Sequence, residues 1–237
     1  MMDILNVVLH FAIGFFIPIF GRFLSKSYPC SLHSFIGDGI KYYLNKKICK
    51  QSHHLNSFKS LNKRYFYSKL LYGALFAVLT SFLNDLHLNL FVWLLLLAGY
   101  IDAKVWVIPD LITLPLLFTG LSTTLFQSNK LAIYNAIGIY IICSALALFA
   151  HLKNNDSFGG GDVKLLAAVA ALLGAEITGL VLVGAAIVAA PYCMAKKTRQ
   201  VPLAPFVSAS AIASILILRH GPYYGIISSL WGKWFVQ

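Results

Sequence analysis

Acidic side chains are scarce in this sequence: eight in 237 residues, namely Asp3, Asp38, Asp85, Asp102, Asp110, Asp156, Asp162 and Glu176. Charged residues of both signs make up only 11%, against about a quarter in soluble domains. So few charges cannot cover a soluble surface, and 59% hydrophobic residues exceed what one core of this length encloses. The surplus has to face lipid. Also missing are the signatures of the commoner hydrolytic machineries: no HExxH zinc pair, no GxSxG nucleophile elbow and no P-loop. The four cysteines, Cys30, Cys49, Cys143 and Cys193, outline no disulfide framework, and the last two sit in apolar runs as packing residues. The start Met1-Met2-Asp3 lacks the positive region and small-residue cleavage site of a signal peptide, so it reads as the lead into a retained first span.

What the chain does have is long apolar sequence. Eight segments stand out, each limited by charge, Gly or Pro: Ile4–Leu24, Lys69–Leu83, Leu88–Ile101, Leu111–Phe126, Ala132–Leu152, Val163–Leu173, Ile177–Ala195 and Leu203–Leu218. A helix needs ~20 residues to cross ~30 Å of hydrocarbon. Lys69–Leu83 and Val163–Leu173 fall short of that unless flanking polar residues extend them. The expected fold class is all-α: a polytopic transmembrane helical bundle of about eight spans, with a basic cytoplasmic loop after the first. Residues 1–68 then form the first span and that loop, 69–218 a transmembrane catalytic bundle, and 219–237 an interfacial tail anchored by Trp231 and Trp234. His10, inside the first span, reads as a packed, hydrogen-bonded histidine rather than a proton relay.

The 19 Lys and Arg give a formal net charge of +11. In a soluble protein this would suggest nucleic acid; here topology explains it, and the expected partner is the bilayer, with no nucleic acid. With eight crossings and residues 22–69 in the cytoplasm, sixteen cations fall in cytoplasmic connections. Only Lys130, Arg219 and Lys233 fall outside. Dropping one span would reverse every later loop and destroy the bias. The same count puts Asp102, at the end of the third span, and Asp162, at the start of the sixth, on the cytoplasmic face at one depth.

The first aspartate stands in Tyr100-Ile101-Asp102-Ala103-Lys104-Val105-Trp106-Val107-Ile108-Pro109-Asp110, the second in Gly159-Gly160-Gly161-Asp162-Val163-Lys164. Consecutive glycines are costly to order, and their use is close backbone approach to a bound peptide or a neighbouring helix. Asp162 then opens a helix, where the macrodipole favours a carboxylate. Each aspartate alone has a bland reading: Asp162 as a turn and N-cap, Asp102 as a helix-end charge or a partner of Lys104 or Lys164. Together they offer a peptidase pair, in which an ionised carboxylate takes a proton from water while a protonated one polarises the scissile carbonyl.

At these two segments the chain resembles the type IV prepilin leader peptidases, aspartyl peptidases of the bacterial inner membrane. Asp102 through Pro109-Asp110-Leu111-Ile112-Thr113-Leu114-Pro115-Leu116-Leu117 is similar to that family's first signature. Gly159, Gly161, Asp162, Lys164, Leu165 and Leu166 match its Gly-x-Gly-Asp-x-Lys-Leu-Leu. Pro202-Leu203-Ala204-Pro205-Phe206 resembles the Pro-Phe-Gly-Pro-Phe that opens the family's last span, and Arg64-Tyr65-Phe66 the segment entering its second. The resemblance implies a catalytic pair Asp102 and Asp162, with Gly159, Gly161 and Lys164 as substrate-binding or structural support. It further implies cleavage of the basic leader of prepilins and pseudopilins at the cytoplasmic membrane face, with no cofactor for proteolysis. Because the family allows Asn at the position of Asp110, that residue is read as a helix N-cap.

The N-terminal part departs from the family. Gly21-Arg22-Phe23-Leu24-Ser25-Lys26-Ser27-Tyr28-Pro29 keeps only the ends of its opening motif. Where relatives carry two CxxC pairs, this loop has Cys30-x-x-His33 and Cys49-x-x-x-His53, a spacing that favours a solvated loop without metal over a zinc site. Many relatives also methylate the new N-terminus with S-adenosylmethionine; that cofactor is implied only if the eroded region retains the activity. Competing readings are another GxGD peptidase of the presenilin-like, signal-peptide-peptidase-like or archaeal preflagellin kind, a small ion- or proton-coupled transporter, and a non-enzymatic pilus-assembly scaffold. The presenilin-like and signal-peptide-peptidase-like kinds match the motifs less well, and the archaeal preflagellin kind generally lacks a long loop like residues 22–69. A transporter would place its acids near the midplane in related halves, whereas these cluster at span ends without an internal repeat. A scaffold would not need both aspartates.

Overall fold

A computed structural model describes residues 4–27, 62–83, 85–126, 131–152, 159–196 and 201–220. Cys30, His33, Cys49, His53, Trp231 and Trp234 lie outside the described residues. Among those described, all regular structure is helical: α1 Ile4–Ser27, α2 Asn62–Leu83, α3 Leu86–Val105, α4 Asp110–Phe126, α5 Leu131–Leu152, α6 Gly160–Leu173, α7 Ala175–Lys196 and α8 Ala204–His220. Each of the eight apolar segments of the sequence is one helix. The expected short segment at Lys69–Leu83 extends back to Asn62, and residues Phe66–Leu83 form an apolar stretch able to cross a membrane.

Five helices are long and apolar enough to cross: α1, α2, α3, α5 and α7. The chain is a multi-pass membrane protein. α4 and α8, at 17 residues each, and α6, at 14, are shorter than that length. At 1.5 Å per residue α6 rises only ~20 Å. α6 compensates by being interior: Val163 and every residue from Leu165 to Leu173 are buried, so the helix is apolar all round because protein surrounds it. Its alanines let neighbouring helices approach. α4, α5 and α7 pack against it. Burial separates the crossing helices in the same way. The α3 window is 67% buried, whereas that of α5 is 17% buried and turns Ile137, Ile141 and Leu148 outward. Such a face is suited to lipid, where apolar exposure carries no penalty.

The described residues form two units, one ending at Val78 and the other beginning at Leu79. In the first, α1 and α2 meet where a Cβ on Gly14 would lie 2.7 Å from the Tyr72 carbonyl oxygen. His10 hydrogen-bonds the Asn6 carbonyl oxygen at 2.6 Å and its ring sits 6.2 Å from that of Phe76, a packed histidine as expected. The second unit holds both aspartates. There α3 starts at Asp85, whose carboxylate accepts the His87 N–H at 2.9 Å and so begins the helix two residues before the apolar run.

Two sets of contacts give the helix directions in this unit. α3 and α8 are antiparallel: Ala204 meets Asp102, Gly99 packs on Pro205, and Ser208 donates to the Leu95 carbonyl at 2.9 Å. α4 and α6 are parallel: Ile108 lies against Gly161, Asp110 against Lys164, and Gly120 against Ala168. The C-terminal end of α3 and the N-terminal ends of α4, α6 and α8 therefore converge.

Candidate active site

Asp102 occupies the last turn of α3 and is 5% exposed. A carboxylate so buried needs a hydrogen-bond donor. It finds one in α8. That helix opens after Leu203, whose carbonyl accepts from Phe206 and Val207 but whose side chain has no oxygen to cap the free N–H groups. The first of these, on Ala204, donates to Asp102 Oδ2 at 3.0 Å. One buried acceptor thus meets one buried donor. α3 ends on Trp106, the one non-glycine residue at positive φ among those described (φ 62°, ψ 29°), and its N–H donates to the Asp102 carbonyl at 2.9 Å. This left-handed turn is costly for a bulky residue. It ends the helix one turn after Asp102 and sends the chain towards α4.

Asp162 sits in the first turn of α6. Gly159 flanks the helix in extended backbone, and its N–H donates to Asp162 Oδ2 at 3.3 Å while its carbonyl accepts the Asp162 N–H at 3.1 Å. Gly161 makes the close approach expected of the glycine run, towards the loop between α3 and α4. A Cβ there would lie 3.0 Å from Ile108 Cβ and 3.2 Å from its carbonyl oxygen. At Gly160 a Cβ would meet nothing within 4 Å. The Asp162 carboxyl, at the start of α6 and just before the apolar run Val163–Leu173, is pushed up to about 7. Burial is the larger cause and the charge of Asp102 the next, opposed by the Gly159 N–H. The two aspartates, 60 residues apart in sequence, thus lie within electrostatic reach of one another.

One expectation is corrected. Asp110 is not the N-cap of α4; it is the first residue of the helix. The Pro109 carbonyl accepts the first intrahelical bonds, from Ile112 and Thr113, because proline lacks only a donor and keeps its acceptor. The Asp110 carboxylate is turned instead to Lys164, with Nζ to Oδ1 at 2.6 Å. Lys164, one of two partners the bland reading of Asp102 allowed, is thus paired with Asp110. The Ala204 N–H, the Trp106 cap and the Ile108 contact were not read from the sequence. The available signal was α8 opening between Pro202 and Pro205 without a Ser, Thr, Asp or Asn cap, which leaves backbone donors in search of an acceptor. Among the described residues no cluster of three His, Cys, Asp or Glu side chains is placed to hold a metal.

Comparison with known proteins bears on this set of residues. The chain is 32% identical over 174 residues to a prepilin leader peptidase/N-methyltransferase of Dichelobacter nodosus, covering 70% of this chain and 61% of that protein. Proteins of the same name from Burkholderia pseudomallei and Aeromonas hydrophila are 35% and 31% identical. Those matches cover 51% and 62% of this chain, and 43% and 51% of the relatives. The chain thus spans between 43% and 61% of the length of these curated relatives. No solved structure matches it. Residues 89–194, from the start of α3 almost to the end of α7, match the model of the type IV leader peptidase family, and that stretch encloses Asp102, Asp110, Asp162 and Lys164.

Proposed function

We propose that this protein is an aspartic endopeptidase that removes the basic leader of type IV prepilins and pseudopilins at the cytoplasmic face of the bacterial inner membrane. Asp102 and Asp162 are its catalytic pair. The observation that carries this reading is the convergence of two carboxylates from separate helices at one end of the bundle, each with one oxygen held by a backbone N–H. That leaves Oδ1 of each for a water and a scissile carbonyl.

The chemistry follows from the two environments. Asp162, whose carboxyl holds its proton to about pH 7, donates a hydrogen bond to the scissile carbonyl oxygen. Asp102 is ionised and takes a proton from water as the water oxygen bonds to the carbonyl carbon. In the same step Asp162 passes its proton to the carbonyl oxygen, so the pair still holds one; Asp102 then gives its proton to the leaving nitrogen as the C–N bond breaks, and Asp162 takes one back from the gem-diol. Sixteen of 19 cations on one side of an eight-span topology support the cytoplasmic orientation. The mature hydrophobic segment of the substrate stays in the bilayer; Gly159, exposed beside Asp162, adjoins the leader, while Gly161 supports α6 on Ile108. The relatives' names also carry N-methyl transfer.

The test is co-expression with a prepilin. Asp102→Asn and Asp162→Asn each abolish leader removal while the protein still inserts in the membrane. Normal processing by either variant sinks the reading.

A further inference from the structure

Lys164 and Asp110 form the ion pair that joins the start of α6 to the start of α4, 54 residues apart in sequence. Lys164 follows Asp162 by two residues and Gly161 by three, so on a helix it shares a face with Gly161. That face rests on the loop leading from Asp102: Gly161 nests on Ile108, and Lys164 reaches Asp110, two residues further on. The same stripe continues to Gly120, where a Cβ would lie 2.8 Å from the Ala168 carbonyl oxygen. Contacts at Gly161 and Gly120 are made by absent side chains and resist only compression. The buried side chains from Leu165 to Leu173 hold the body of α6, and its first turn needs a restraint of its own. The Lys164–Asp110 bond is directional and supplies that restraint at the level of the two aspartates.

We infer that Asp110 and Lys164 are positioning residues, a two-point register with Gly161 and Ile108 that holds Asp162 opposite Asp102. They act through the helix that carries Asp162. The pairing also turns the Lys164 ammonium towards Asp110, so its charge is answered there and not at Asp162. What matters is the acceptor at position 110, so an amide oxygen serves where a methyl group does not. A displacement of about 1 Å in a catalytic group costs on the order of 10–100-fold in rate. This inference rests on the peptidase reading for its kinetic arm and on geometry alone for its structural arm.

For the kinetic arm, prepilin cleavage is measured in liposomes for Asp110→Ala, Lys164→Met, their double variant, and the conservative Asp110→Asn and Lys164→Arg. The expected result is a 10–100-fold fall in kcat with little change in KM for each of the first two. The double variant falls no further than either single, and the conservative variants recover most of the rate. Multiplying losses in the double variant, or wild-type rates in Lys164→Met, overturn the inference. For the structural arm, all four native cysteines are replaced by serine and Asp102→Cys/Asp162→Cys is treated with a short bifunctional thiol reagent. Cross-linking at least fivefold slower on adding Lys164→Met supports the register. Equal rates overturn it. Because this arm needs no activity, a wild-type protein that cleaved no prepilin would sink the peptidase reading and leave the register separately decided.

Discussion

The Ala204 N–H donates to Asp102 Oδ2 at 3.0 Å, joining residues 102 positions apart. A backbone donor at the first position of a helix carries the helix's partial positive charge with it, and a buried carboxylate is where that charge has most effect. The bond can be removed without touching a side chain of the pair. Proline at the first helical position keeps the helix geometry but has no N–H.

Ala204→Pro is therefore expected to fold and insert normally while losing on the order of 10–100-fold in leader cleavage, as for removal of one preorganised donor. Ala204→Ser, which keeps the N–H, should cleave at close to the wild-type rate. Cleavage assays on both variants in matched membranes check this; a fully active proline variant would show that the bond is dispensable.

The pH dependence follows from Asp162. Its carboxyl is raised from 3.8 to about 7, so the acid form needed for cleavage is lost as the pH rises through about 7. Activity should decline on that alkaline side. The same shift has a stability consequence of defined sign. A raised pKa in the folded state means stability that is fully present below about 3.8 and drains away until the pH passes about 7. Asp162→Asn has no such loss. Its Tm in detergent should match that of the wild type near pH 4 and exceed it by at least ~2 °C at pH 8. Parallel melting curves across that range, or a wild-type activity that keeps rising above pH 8, would contradict the assignment.

The two adjacent glycines predict opposite behaviour. Gly160→Ala adds a methyl where nothing lies within 4 Å, at an exposed position of the first turn. It should be neutral or slightly stabilising, by ~0.5 kcal/mol, because alanine loses less backbone entropy. Gly161→Ala forces its Cβ onto Ile108, so the loop or α6 must shift by a few tenths of an ångström, at a cost of about 1–3 kcal/mol of overpacking. Thermal melts and cleavage rates of the two variants measured side by side distinguish them. Equal effects would mean that α6 does not rest on Ile108 as described.

Much of the helical layout was legible because lipid imposes a simple rule on sequence: apolar runs become helices, and charges mark their ends. The boundary errors have local causes. α3 begins at Leu86 because Asp85 caps it, and α2 reaches back to Asn62 through polar residues that hydropathy alone does not count. Both aspartates could be singled out from their span-end positions and the cation bias around them. The partner of Lys164 could not: the sequence offered only Asp102 while Asp110 was read as a cap, and the pairing depends on how α6 is turned against α4. Nor could the donor to Asp102 be read, since a peptide N–H has no letter of its own. Only the uncapped, proline-flanked start of α8 hinted that one was needed.

The donor to Asp102 comes from α8, the last described helix, and the acceptor from α3. A ribosome delivers the acceptor first and the donor about a hundred residues later. During biogenesis Asp102 therefore enters the membrane before its stabilising bond exists, and the bond forms only when α8 has been inserted and has folded back along α3. Arrested chains ending before Pro202 would hold both aspartates yet lack this contact, so completion of the pair is timed to a late event in translation and not to the synthesis of either carboxylate.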